Sequence, residues 1–200
     1  MNALLAFLLS VGISLLSFTL IMVWYIVPRL SKQPRVQALL PLVLLHTFRT
    51  AGLVVLLPQV MGGIVPLGFA APAAYGDLLT AGLALLAAFM LRLRPGLALP
   101  FVWLFNLVGI IDLLYALYEG AMIGLPFFHL GVYWYIPTLY VPLLLVSHVI
   151  IFWFLLRAAP STQAERERSF LEQGGGLATL SSAVTDTSSS NAQIKSSQSN

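Results

Sequence analysis

Six residues of this chain carry chemistry in a setting where chemistry is costly: His46, Arg49, Asp77, Asn106, Asp112 and His148. Arg49 with a carboxylate makes an ion pair, which either fixes helix packing or forms part of a pathway for protons or small solutes. Two histidines extend such a pathway, because imidazole takes up and releases protons near neutral pH. Two histidines at matching depth are also the axial ligand set of a b-type haem. These residues stand out because so little else is charged. Residues 1–157 hold only ten Asp, Glu, Lys and Arg side chains, whereas about a quarter of the residues in an ordinary soluble domain are charged.

The elements that must position them are membrane spans. The hydrophobic fraction is 59% and the mean hydropathy +0.92, too apolar for a wettable surface. A bilayer crossing needs about 20 apolar residues. Five stretches qualify, at about 3–27, 36–58, 73–92, 98–118 and 133–156. The expected fold is therefore all-α: one integral membrane bundle of five transmembrane helices over 1–158, followed by a tail over 159–200. The first stretch has no basic leader and is too long for a signal peptide, so it reads as a retained helix. The sequence contains no cysteine, which excludes disulfides, thiolate metal sites and cysteine nucleophiles.

Charge then orients the bundle. Arg29, Lys32, Arg35, Arg92, Arg94 and Arg157 all flank connections or ends that alternate with the lysine- and arginine-free segments 59–72 and 119–132. Positive-inside asymmetry predicts the N-terminus outside and the C-terminus in the cytoplasm. Tyr133, Trp134 and Tyr135 read as an outer aromatic belt. The net charge of +3 is spread through these turns, forms no patch, and gives no reason to expect a nucleic acid partner. The partners expected are the lipid bilayer and a membrane protein or second copy of the chain. Ser10, Ser14 and Ser17 share a face of the first helix and are expected to bond across to a neighbour. On the third, Ala73, Asp77, Ala81, Ala84 and Ala88 mark a close-packing face. Beyond Pro160 the composition turns polar, and 173–200 is expected to be disordered and cytoplasmic.

Depth sorts the polar residues into two layers. At about 1.5 Å per residue, Arg49 and Asp112 lie roughly 20 Å from the inner ends of their helices, and Asp77 about 6 Å from an outer end. A lone charge near mid-bilayer costs about 2.5–3.5 kcal/mol on insertion scales. Arg49 is thus expected to contact Asp112 or Asp77, or both in a triad. His46, Asn106 and His148 form a deeper neutral layer. His46 and Arg49 are three apart and share a face. Asn106 and Asp112 are about 120° apart and are expected to face different neighbours. No nucleophile elbow, no His-Glu-x-x-His and no convergent metal ligands are present, so the sequence leans against an enzyme and against a metal site. No cofactor is expected on the main reading, which is permeation, sensing or support of a partner complex. The alternatives are haem held by His46 and His148, and a purely structural membrane subunit.

The run His46-Thr-Phe-Arg49, the segment from Phe69 to Asp77, Phe105-Asn106 with Asp112, and Pro137, Pro142 and Ser147-His148 resemble a family of small bacterial multi-pass membrane proteins without assigned function. The resemblance covers about residues 35–157. It implies a bacterial inner-membrane location and carries no activity with it.

Overall fold

The computed structural model describes residues 2–157 apart from residue 62. The tail expected over 159–200 lies outside the described residues. The chain folds into five long apolar helices: α1 (Ala3–Leu30), α2 (Arg35–Leu56), α3 (Leu67–Leu93), α4 (Pro95–Met122) and α5 (Gly131–Leu156). Each is long and apolar enough to cross a membrane. α2, α3, α4 and α5 form a ring in which each touches the next, and α1 packs outside it against α5. Nothing in Ala3–Ile21 of α1 is buried, and only Met22 and Leu30 further along reach the core. Its serines therefore do not act as interhelical glue: Ser10 donates to the Ala6 carbonyl of its own helix, 2.8 Å away, and Ser17 is exposed.

Proline chemistry sets several boundaries. Pro34 and Pro66 stand at the N-caps of α2 and α3, where an imino nitrogen leaves no helical bond unmade. α3 begins at Leu67 rather than near residue 73, because Pro72 is accommodated inside the helix with its open side exposed. In α5, Pro137 lies within a π-helical stretch, Ile136–Tyr140, and Pro142 follows it in the first turn of the α-helical part; the widened turn accommodates the missing donors. The expected aromatic belt breaks up here. Tyr133 turns inward and is buried, Trp134 meets Phe7 edge-on at 5.4 Å, and only Tyr135 is exposed.

Two apolar layers fill the ring. One, at the end with the basic turns, includes Leu39, Val43, Ala84, Ala88, Val102, Ile151 and Phe154. Arg35 caps it by donating from Nε to the Phe154 carbonyl at 2.8 Å, which ties the start of α2 to the end of α5. The other, at the end free of lysine and arginine, includes Val55, Met61, Phe69, Ala74, Leu125 and Tyr133. There Gly131 has φ +49°, and a Cβ on it would stand 1.9 Å from the Met61 carbonyl oxygen. Gly131→Ala is expected to lower stability by at least the ~1–2 kcal/mol cost of a left-handed Cβ. A thermal unfolding scan in detergent checks this, and an unchanged midpoint would contradict it.

Between the two apolar layers, the ring is polar. His46, Arg49, Thr80, Asn106, Thr138, Ser147 and His148 are all buried.

Candidate functional site

The polar layer begins with an irregularity in α2. From His46 to Leu56, 11 residues, the backbone is 3₁₀ rather than α; 3₁₀ runs beyond three or four residues are uncommon. The consequence is alignment. In an α-helix His46 and Val55 would point about 180° apart. At three residues per turn, residues i and i+3 eclipse, so His46, Arg49, Gly52 and Val55 form one buried line. That line faces α3 and, through Arg49, α4.

Arg49 is 1% exposed and holds two carboxylates at once. Its Nε donates to Asp77 Oδ1 at 2.7 Å. Its Nη2 donates to Asp112 Oδ2, and its Nη1 donates to the Gly109 carbonyl at 3.2 Å. Three helices are thereby pinned by one guanidinium. The aspartates keep 18% and 15% side-chain exposure, so the arginine is the sealed centre and the carboxylates its accessible edge. Glycines make room for both acids. A Cβ on Gly52 would fall 1.8 Å from Asp77 Oδ2, and one on Gly76 would fall 1.7 Å from Asp112 Oδ1. Both are far inside contact distance, so each carboxylate sits in the space of an absent side chain.

The deeper layer is built around two touching imidazoles. The rings of His46 and His148 have centroids 4.1 Å apart, with Phe105 against both. Hydrogen-bond logic fixes their tautomers. Asn106 Nδ2 donates to the His148 carbonyl at 3.3 Å, so its Oδ1 faces His148 Nδ1 at 2.7 Å. An amide oxygen only accepts, so Nδ1 carries the hydrogen. Ser147 donates to the Leu144 carbonyl at 2.9 Å, so its oxygen accepts from His46 Nε2–H at 2.9 Å. One nitrogen remains on each ring. His46 Nδ1 and His148 Nε2 have no partner among the described residues, nor does the Thr80 hydroxyl.

Gly109 joins the two layers. Its carbonyl accepts from Arg49. A Cβ there would stand 2.6 Å from His148 Cε1, 2.8 Å from Nε2 and 2.8 Å from Thr80 Cγ2. The ring with its open nitrogen is thus pressed against the backbone that bonds the arginine.

All six residues singled out by sequence fall in this layer. Arg49, Asp77 and Asp112 meet directly. His148 meets Asn106 and His46, whereas His46 does not bond Asn106. Asn106 and Asp112 face different neighbours, α5 and α2. Thr80 and the glycines at 52, 76 and 109 were not expected from the sequence, and Ser147 stood out there only as the neighbour of His148. Gly52 stands three residues from Arg49, Gly76 beside Asp77 and Gly109 three residues from Asp112, and that closeness to the charged positions was the available signal. Of the alanine face proposed for α3, Ala81, Ala84 and Ala88 are buried and Ala73 is only half-buried.

The haem alternative does not fit this geometry. Two metal–imidazole bonds of about 2 Å each keep the ligating nitrogens about 4 Å apart and the ring centres further. Here the ring centres themselves are 4.1 Å apart, in direct contact, so no porphyrin passes between them as they are placed. Among the described residues no group of three or more His, Asp or Glu side chains converges to hold a metal ion.

Searches of the curated proteins and of the solved structures find no match for the chain. A family model, in contrast, matches residues 6–156, which takes in all five helices and every residue of the polar layer. The chain accordingly belongs to the family described as Domain of unknown function (DUF8737).

Proposed function

We propose that this protein is a proton-responsive membrane protein, with the buried cluster as its proton-binding site. One observation carries the reading: a single guanidinium holds two carboxylates in the middle of an apolar bundle. Counted formally, one positive and two negative charges leave an excess of one negative charge. In a hydrocarbon setting such an excess costs on the order of 2.5–3.5 kcal/mol, and binding one proton removes it. A proton is also the ligand that needs no cavity, which suits a layer this tightly packed at Gly109. The other groups facing the cluster include the two imidazoles, the Thr80 hydroxyl and, from α5, the buried Tyr133 near Asp77 and Tyr140, whose hydroxyl donates to the Leu45 carbonyl at 3.4 Å. The open nitrogens of His46 and His148 supply the next acceptors beyond Arg49.

Among the described residues, the apolar layers above and below leave no polar route across the bundle in this conformation. The reading is therefore a sensor or gate, with exchange through the partly exposed carboxylates. The long 3₁₀ stretch that carries His46 and Arg49 is the element positioned to respond, since mid-helix 3₁₀ often marks a hinge. The same reading places the protein in a bacterial inner membrane. The N-terminus lies outside and the basic turns and C-terminus lie in the cytoplasm, on the strength of the charge asymmetry. It assigns no catalytic reaction.

Infrared difference spectra of reconstituted protein test it. On acidification across the physiological range, a protonated-carboxyl band should appear in the wild type and vanish in Asp112→Asn. Absence of the band in the wild type would overturn the proposal.

A further inference from the structure

A second site lies on the lipid-facing surface, away from the polar layer. α2 and α3 leave there a groove of about 240 Å³ lined by Leu40, Leu44, Leu85, Ala88, Phe89 and Arg92. Its floor is Ala88, which is buried, and its rim is Leu44, Leu85 and Phe89, which are exposed. Leu85, Ala88 and Arg92 follow one another at helical steps of three and four, so the groove runs along the helix axis for about 10 Å. Five lining residues are wholly apolar. The sixth, Arg92, stands in the last turn of α3, at the end with the basic turns.

We propose that this groove holds one acyl chain of an anionic phospholipid, with the phosphate on Arg92. The charge pattern selects the occupant. A lipid chain is apolar along its length and becomes anionic only at the interface, and the groove has the same order of surfaces. Basic pockets between transmembrane helices bind acidic head groups in this way. Arg92 also differs from most of the basic residues around it. Arg29 donates to the Tyr25 carbonyl at 2.9 Å, Arg35 to Phe154, and Arg157 stacks 5.1 Å over Trp153. Among the described residues Arg92 makes no hydrogen bond or ion pair, so its guanidinium is available to a ligand. Arg94 is equally unengaged among them but lies outside the groove, which makes it the matched control.

The test is native mass spectrometry of the full chain released from vesicles of phosphatidylglycerol and phosphatidylcholine in equal parts. The expected result is retention of one phosphatidylglycerol in preference to phosphatidylcholine. Arg92→Gln should reduce that preference about fivefold, the worth of one interfacial basic residue, while Arg92→Lys keeps most of it and Arg94→Gln leaves it unchanged. Ala88→Leu, which fills the groove, should remove the retained lipid. Should that variant not fold, the Arg92→Gln and Arg92→Lys pair decides alone. Equal loss in Arg92→Gln and Arg94→Gln would mean a diffuse basic surface and overturn the site. Displacement of the lipid by inorganic phosphate would mean a free-anion site and overturn the lipid assignment. No head-group preference in the wild type would overturn both.

Discussion

Arg49→Leu is expected to destabilise the bundle by about 3–5 kcal/mol, the cost of leaving buried charge without its partner. The reason is specific to this site. Arg49 supplies the counter-charge for both Asp77 and Asp112, so its loss strands two carboxylates among three helices. Charge reversal at Asp112 should be worse than removing Arg49 and Asp112 together. The variant carrying Arg49→Leu, Asp77→Asn and Asp112→Asn should recover most of the loss, because neutral side chains of similar size leave no uncompensated charge. Unfolding midpoints in detergent, read as a double-mutant cycle, measure this directly. Residues in one ion-pair network couple by about 0.5–3 kcal/mol; additivity between Arg49 and Asp112 would show that the contact carries no stability. The triple variant also separates architecture from function. If it folds well and no longer responds to acid, the cluster is there for its protons. If it responds like the wild type, the proposed site is wrong although the ion pair is real.

Gly109→Ala is the second large effect expected. The new methyl would meet His148 Cε1 at 2.6 Å and Thr80 Cγ2 at 2.8 Å. Neither ring nor methyl is a flexible tip, so α4 and α5 must separate. Overpacking of this kind costs about 1–3 kcal/mol, partly offset by the better helix propensity of alanine, about 1 kcal/mol. The sharper readout is the imidazole spectrum. Displacing His148 should alter the ring ¹⁵N resonances of both histidines, since the two rings touch. Gly82 is the control: it is exposed in the same kind of helix, and a Cβ there meets nothing within 4 Å. Gly82→Ala should be neutral or stabilising by up to about 1 kcal/mol, with both histidine spectra unchanged. Matching spectral changes in the two variants would remove Gly109 from its role as the junction between the layers.

The expected and observed helices differ chiefly where local rules met tertiary packing. Pro72 argued for a connection, yet α3 runs through it because the one bond lost, to the Gly68 carbonyl, falls on an exposed side of the helix. Tyr133 read as an interfacial residue, but the turn at Gly131 carries it into the core. The serines of α1 read as glue, but no hydrogen bond from them to another helix is made among the described residues: Ser10 bonds within its own helix and Ser17 is exposed, because α1 packs outside the ring. In each case the side chain's type was right for its setting, and the setting depended on a partner helix that no local pattern specifies.

The candidate site shows the same division. Scarcity of charge located Arg49, Asp77 and Asp112 without any structure, since a buried arginine among so few acids has few partners. Depth along the helices paired His46 with His148. What no periodicity at 3.6 residues per turn could reveal is the 3₁₀ winding of α2, because it is stable only when α3 and α4 supply the contacts that reward it. That winding puts His46 and Arg49 on the same line as Gly52, and the glycines then let both carboxylates reach one guanidinium.

Five apolar helices, the alternation of basic ends with ends free of lysine and arginine, and the short roll of residues able to hold charge in an apolar bundle were all legible in the sequence. These follow from composition and spacing along one chain, which local energetics dictate. Tertiary packing was needed to show that one arginine takes two carboxylates, that the two imidazoles touch, and that each keeps a nitrogen without a partner among the described residues. Those outcomes depend on how closely separate helices approach, and that is set by glycines and packing across the ring rather than by any one segment.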